Sequence, residues 1–240
     1  FGGNLGSGDT VAGGDGTDVL SVADSGSISS GAFANVSNIQ ELSVADSTDA
    51  TIDVTNLGAG FETVNFAITD DATSSSDFDV TLNGLSSGNG VNLTSENLTN
   101  GDLTTGAQLN GLGSVTLNLD DASGTSDSLT ARLNNNNSNS TVQDNVGDFA
   151  DTFGTFTVSE IVAAGAETVT IDSTGGLGPN AVTTLTADDA ATVNLIGDQS
   201  LTVGNIANAN LDANDATAVN AGDLGGSLTL TLNEDQEHTV

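Results

Sequence analysis

Gly13-Gly14-Asp15-Gly16-Thr17-Asp18-Val19-Leu20-Ser21 satisfies every position of the nonapeptide G-G-x-G-x-D-x-U-x, where U is a large apolar residue. Glycine reaches backbone conformations closed to other residues, so such a loop curls until its carbonyls face inward. Asp18 supplies a hard anionic oxygen, and Leu20 begins a short strand with its side chain toward a core. Carbonyls plus a carboxylate suit calcium, which takes about six to eight oxygen ligands in loose geometry. The competing reading is a glycine-rich turn ahead of a strand.

One loop does not make an ion site, because in stacked coils each ion lies between loops of successive turns. The preceding nine residues, Asn4 to Ala12, keep Asp9 and Val11 in the matching places, with Gly6 and Gly8 between. Asn4 and Leu5 stand where the two leading glycines belong. The expectation is a full repeat preceded by a degenerate one, with calcium ligands drawn from Asp9, Gly14, Asp15, Gly16 and Asp18.

Charge points the same way. The 240 residues carry a formal net charge of −32, and Arg132 is the one Lys or Arg. Of the 33 acidic residues 26 are Asp, a residue of loops and metal turns rather than helices. Two carboxylates about 5 Å apart repel by only ~0.8 kcal/mol in water, and by more where water is excluded. Crowded Asp loops therefore need solvent or a divalent cation. Attachment to nucleic acid or an anionic membrane through a basic patch is excluded. The chain has no cysteine, hence no disulfides, which in so acidic a Gly/Asp/Asn/Thr-rich sequence fits a secreted protein stabilised by metal. No apolar run approaches 18 residues, so no transmembrane helix is expected. A start at Phe1, without Met or signal peptide, reads as an internal piece of a longer polypeptide.

Strand patterns recur along the chain. Short alternating runs bounded by Gly, Asn or Asp begin at Val19, Leu42, Thr51, Val64, Val80, Val115, Val169, Val193, Leu201 and Leu228. From residue 169 the starts fall at Val169, Leu185, Val193, Leu201, Leu211, Val219 and Leu228. Val169, Val193 and Val219 lie 24 and 26 residues apart, about one turn of a three-sided parallel β-helix. Asn194, Asn205, Asn208, Asn210, Asn214 and Asn220 are then expected at corners, where short polar side chains tolerate left-handed backbone. The predicted class is all-β: a parallel β-helix or β-roll-like solenoid with short strands and calcium-binding loops, with β-sandwich-like portions as a variant.

Two themes recur. Glu41, Glu62 and Glu167 each stand just ahead of a strand. Acidic pairs before Ala follow strands at Asp70-Asp71, Asp120-Asp121 and Asp188-Asp189. Each pair is either a hydrated turn or lends a carboxylate to a calcium shared with a neighbouring coil, and at least one metal contact among the three is expected. Asn134 to Asn137, with Asn139, read as a polar loop tip. Val146 to Ile161 is the best helical candidate, with Phe149, Phe153 and Phe156 on one face, although Gly154 and Thr155-Phe156-Thr157-Val158 argue for strand. The expected division is a repeat region 1–24, a β-rich domain 25–150 and a solenoid domain 151–240.

Catalysis is not expected. No Cys or Lys exists to act as nucleophile, and the lone His238 stands in an acidic tail. No nucleophile elbow, P-loop or zinc signature occurs, and the chain has no Trp or Tyr to stack on sugar rings.

The Gly13 to Ser21 nonapeptide, the Glu-Thr-Val strand openings and the cysteine-free Thr/Ala/Asp/Asn-rich strands resemble the calcium-binding, type I-secreted RTX-type surface-layer proteins of Gram-negative bacteria. The nonapeptide covers the first twenty or so residues; beyond it the resemblance is one of composition and rhythm. It implies a secreted, extracellular structural protein that assembles with copies of itself into a lattice at the bacterial cell surface. Calcium would drive assembly, and anchoring to cell-surface polysaccharide would pass through parts outside this sequence. Ligands carry over at Gly14, Gly16 and Asp18. An RTX adhesin, or the non-catalytic region of a secreted RTX enzyme, shares the nonapeptide and the acidity and stands as the alternative. Adhesin repeats are near-identical, unlike the divergent copies here.

Overall fold

The structure, a computed structural model, describes residues 5–23, 27–46, 49–58, 60–69, 79–96, 112–136, 155–207, 217–232 and 238–239. Asp70, Asp71, Phe149 and Phe153 lie outside them. The described chain winds into stacked coils whose strands all pair in parallel. In chain order the strands are β1 (Val11–Ala12), β2 (Val19–Ala23), β3 (Val36–Ser37), β4 (Glu41–Asp46), β5 (Ala50–Asp53), β6 (Thr63–Thr69), β7 (Val80–Leu85), β8 (Gly90–Glu96), β9 (Leu112–Leu119) and β10 (Ser128–Asn136). There follow β11 (Phe156–Ala164), β12 (Thr168–Asp172), β13 (Asn180–Thr186), β14 (Thr192–Ile196), β15 (Leu201–Val203), β16 (Ile206–Ala207), β17 (Thr217–Asn220), β18 (Leu228–Leu230) and β19 (His238–Thr239).

Two long sheets result. The front sheet runs β2-β4-β6-β8-β10-β12-β14-β17-β19 and the back sheet β5-β7-β9-β11-β13-β15-β18, with β16 also pairing β13. Off these two sheets the described residues hold the β1–β3 pair and isolated parallel bridges such as that of Gly197 with Leu224. In place of the expected three-sided coil two sheets face each other, and where the connection is short, as between β11 and β12 (165–167) or β14 and β15 (197–200), the chain returns directly onto the facing sheet. The predicted spacing is the coil repeat itself: Val169 pairs with Val193 and Val193 with Val219.

Alternation builds the core. Leu20, Leu42, Val64, Val91, Ala131, Ile171 and Leu195 stand in one register row across the front sheet, and all are buried. Ala50, Val80, Val115, Ile161, Leu185 and Ile206 form the facing row, equally buried. Parallel sheets are usually covered on both faces and read as continuous apolar runs. Here the outward face carries Thr, Asn, Ser and Asp, and the period of two survives in the sequence. Strands on either side of residue 150 pair directly, β9 with β11 and β10 with β12.

Three local expectations are corrected. Residues 156–161 of the helical candidate belong to β11, with Phe156 fully buried at its start, because the Thr155–Val158 alternation outweighs the helical spacing. Asn134 to Asn136 are not a loop tip but the end of β10, and Asn135 is fully buried. Its Nδ2 donates to the Pro179 carbonyl at 3.0 Å and its Oδ1 accepts from Ser95 Oγ at 3.3 Å, so a polar side chain fits where the coil turns. Asn194 and Asn220 sit within strands rather than at corners, stacked with Asn220 Nδ2 donating to Asn194 Oδ1 at 3.1 Å. Among the described residues the one non-glycine with positive φ is Asn38. Asn205 does fall between strands, while Asn208, Asn210 and Asn214 lie outside the described residues.

Candidate metal centre

The nonapeptide forms the turn between β1 and β2. Gly14 and Gly16 take φ of 108° and 114°, in the region closed to most side chains. Gly13 is forced by proximity instead: a Cβ there would lie 2.0 Å from the Asn38 carbonyl oxygen and 2.7 Å from Asp18 Oδ2. The loop therefore packs on Asn38, which lies one coil further on, since Val11 pairs with Val36. Its stacking partner in the next coil is Ser37–Gln40. Asp9 closes a turn of its own, with Oδ2 accepting from the Gly6 N–H at 2.9 Å. Asp15 points to solvent.

Asp18 is held from three directions. Its N–H donates to Gln40 Oε1 at 2.8 Å, and its carbonyl accepts from the N–H groups of Gln40 and Glu41, both at 3.1 Å. Its Oδ2 is buried with no hydrogen-bond partner. A buried anionic oxygen without a partner is costly, and proteins almost always satisfy such atoms. The orphaned Asp18 Oδ2 beside the Gly13 cradle fits a hard cation at this turn.

The acidic pairs behave differently. Asp120 and Asp121 follow β9 and Asp188 and Asp189 follow β13, at the same end of the back sheet, with the turn at Gly165 stacked between them. Asp121 Oδ1 accepts from the N–H and Oγ of Ser123, at 3.0 and 2.6 Å. The Ser123 hydroxyl, followed by its N–H, holds the Asp121 carboxyl below its ordinary pKa. Asp189 Oδ2 reaches one coil back to the Gly165 N–H at 3.2 Å. Among the described residues no three acidic or imidazole side chains converge on one point.

Sequence reasoning overlooked one corner. Asp127 leads into β10 as Asp18 leads into β2, and its N–H donates to Glu167 Oε2 at 2.7 Å, as Asp18 donates to Gln40. The signal was present: Asp127-Ser128-Leu129 repeats the Asp-x-Leu of Asp18-Val19-Leu20, and Glu167 belongs to the theme of a Glu ahead of a strand. The single arginine is spent within the fold, its Nε donating to Asp172 Oδ2 at 2.8 Å. The chain matches no family model, no curated protein and no solved structure.

Proposed function

We propose that this protein is an extracellular structural protein, secreted and assembled with copies of itself into a calcium-dependent layer on a bacterial cell surface. The observation that carries this reading is the buried, unpartnered Asp18 Oδ2 in the Gly13–Asp18 turn, in a chain of net charge −32. At low calcium the acidic loops repel and the coils stay loose, which suits export. Outside the cell calcium fills the turn and locks one coil to the next, so that binding free energy becomes folding free energy. Assembly draws support from the solenoid's ends, where β2 and β5 close one end of the sheets and β19 and β18 the other. Edge strands of parallel sheets are templates for further strands. Acidic flanks of two copies meet around shared cations. No catalytic role is assigned.

Circular dichroism with light scattering, during a calcium titration from a chelated start, tests the proposal. A gain of β signal followed by scattering is expected. A gain without scattering removes the lattice and leaves an adhesin or enzyme-associated calcium module. No change in either would sink the calcium reading itself.

A further inference from the structure

We infer that the turn entering β10 is a second calcium site, built on Asp127 and Glu167. Neither residue belongs to the nonapeptide loop, nor to the acidic pairs read from the sequence.

Among the described residues two carboxylate oxygens are buried without a hydrogen-bond partner, Asp18 Oδ2 and Asp127 Oδ2. They occupy equivalent places, one residue ahead of β2 and of β10. In each case the Asp N–H is taken by a side-chain oxygen from the next coil, and the Asp carbonyl accepts from that coil's backbone: Gln40 and Glu41 on Asp18, Thr168 on Asp127. A glycine presses on each orphaned oxygen. A Cβ on Gly124 would lie 2.3 Å from Asp127 Oδ2, as one on Gly13 would lie 2.7 Å from Asp18 Oδ2.

The difference sharpens the inference. The capping side chain at Asp18 is the neutral amide of Gln40, whereas at Asp127 it is the carboxylate of Glu167. The Glu167 carboxylate thus stands 2.7 Å from the backbone nitrogen of the residue whose own carboxylate is left unpartnered, both side chains being half-buried. Arg132, the chain's sole Lys or Arg, is already paired with Asp172. Oxygen-only, anionic and partly desolvated, the corner suits calcium over softer metals. An ion there would clamp β10 to β12 at mid-solenoid, as the Asp18 site clamps β2 to β4.

Equilibrium dialysis against calcium, paired with thermal melts in chelator and in calcium, tests this on the whole chain. Asp127→Asn is expected to lose one bound ion, or to weaken one site by about tenfold or more. It should also reverse sign in stability: above wild type in chelator, where a buried charge has been relieved, and below wild type in calcium. Glu167→Gln, which keeps the cap on the Asp127 N–H, should weaken the same site and gives the result if Asp127→Asn does not fold. Unchanged calcium binding in both variants overturns the inference, as does a melting shift of one sign in both conditions. Asp18→Asn separates the two sites. If it loses an ion while the Asp127 and Glu167 variants lose none, the nonapeptide reading stands and this one falls; the converse result leaves this site standing alone.

Discussion

Among the described residues Asp172 is the buried acid of the front sheet, with Arg132 as its counter-charge and Thr174 Oγ1 donating to its other oxygen, Oδ1. The Asp172 side chain is 5% exposed and meets the Nε of Arg132, itself 47% exposed. Removing one partner of such a pair strands a buried charge, but the exposed guanidinium is screened by water. Arg132→Gln should therefore cost about 1–2 kcal/mol in urea unfolding, less than the 3–5 typical of fully buried pairs. Adding Asp172→Asn should recover most of that loss; simple additivity in the double-mutant cycle would show that the pair is uncoupled. Gly197 is a second single-residue constraint. Its φ is 120°, and a Cβ there would lie 2.3 Å from the Ser173 carbonyl carbon. Backbone cannot step aside as a flexible side chain can, so Gly197→Ala should destabilise by about 2–4 kcal/mol, combining left-handed strain with overpacking. A melting temperature within a degree of wild type would refute the contact.

Elements are joined by their turns, and the turn after β5 shows how. Asp53 Oδ1 accepts from the Thr55 N–H and Oγ1, at 3.1 and 2.7 Å, and opens the short 3-10 turn Thr55–Leu57. Burial pushes the Asp53 carboxyl up, but the hydroxyl and N–H of Thr55, joined by those of Ser30, outweigh it and leave the pKa below its ordinary value of 3.8. A lowered folded-state pKa means that the unfolded chain binds more protons in that window, so the stabilisation is present above about pH 3.8 and is lost as pH falls through the folded value. Asp53→Ala should cost about 0.5–1 kcal/mol at pH 6, in the range of a lost intramolecular hydrogen bond. Urea melts at descending pH should show that gap closing below about pH 3.8; a gap that stays constant to pH 2.5 would mean that the carboxylate charge plays no part. Outward rows join the elements laterally as well. Asn92 Nδ2 donates to Asn65 Oδ1 at 2.6 Å and Asn65 Nδ2 to Glu41 Oε2 at 3.0 Å, a ladder across β8, β6 and β4.

For the whole molecule, the term that dominates its response to conditions is charge. A net charge of −32 repels itself across a solenoid whose described cation is already paired. In chelator, raising monovalent salt toward 0.15 M, where the Debye length is about 8 Å, should raise the melting temperature gradually by screening. Calcium at millimolar concentration should raise it further at equal ionic strength, because site binding adds a linkage term that screening lacks. Identical curves for calcium and for an ionic-strength-matched sodium salt would remove specific sites from the account.

The sequence by itself determined the all-β class, the strand positions and much of the coil. Alternation of apolar and polar residues is local, and it places the runs at Val19, Leu42, Val64, Val115, Val169 and Val193 in strands whatever they pair with. The coil length was legible near the C-terminal end, where Val169, Val193 and Val219 stand 24 and 26 residues apart and pair. It was hidden in the middle, where Gly90 pairs with Thr130 and Thr130 with Thr170 across 40 residues each, because long insertions between strands erase a period without disturbing the stacking. The nonapeptide marked Asp18 as a candidate ligand, since its glycines and carboxylate are contiguous, and the fold leaves the Asp18 Oδ2 buried without a hydrogen-bond partner. Only the tertiary structure decided that its loop stacks on Asn38, that Asn135 is core rather than loop, and that the Asp127 N–H meets the Glu167 carboxylate. Each of these depends on which coil lies above which, and that contact joins residues some 20 to 40 positions apart with no local signature.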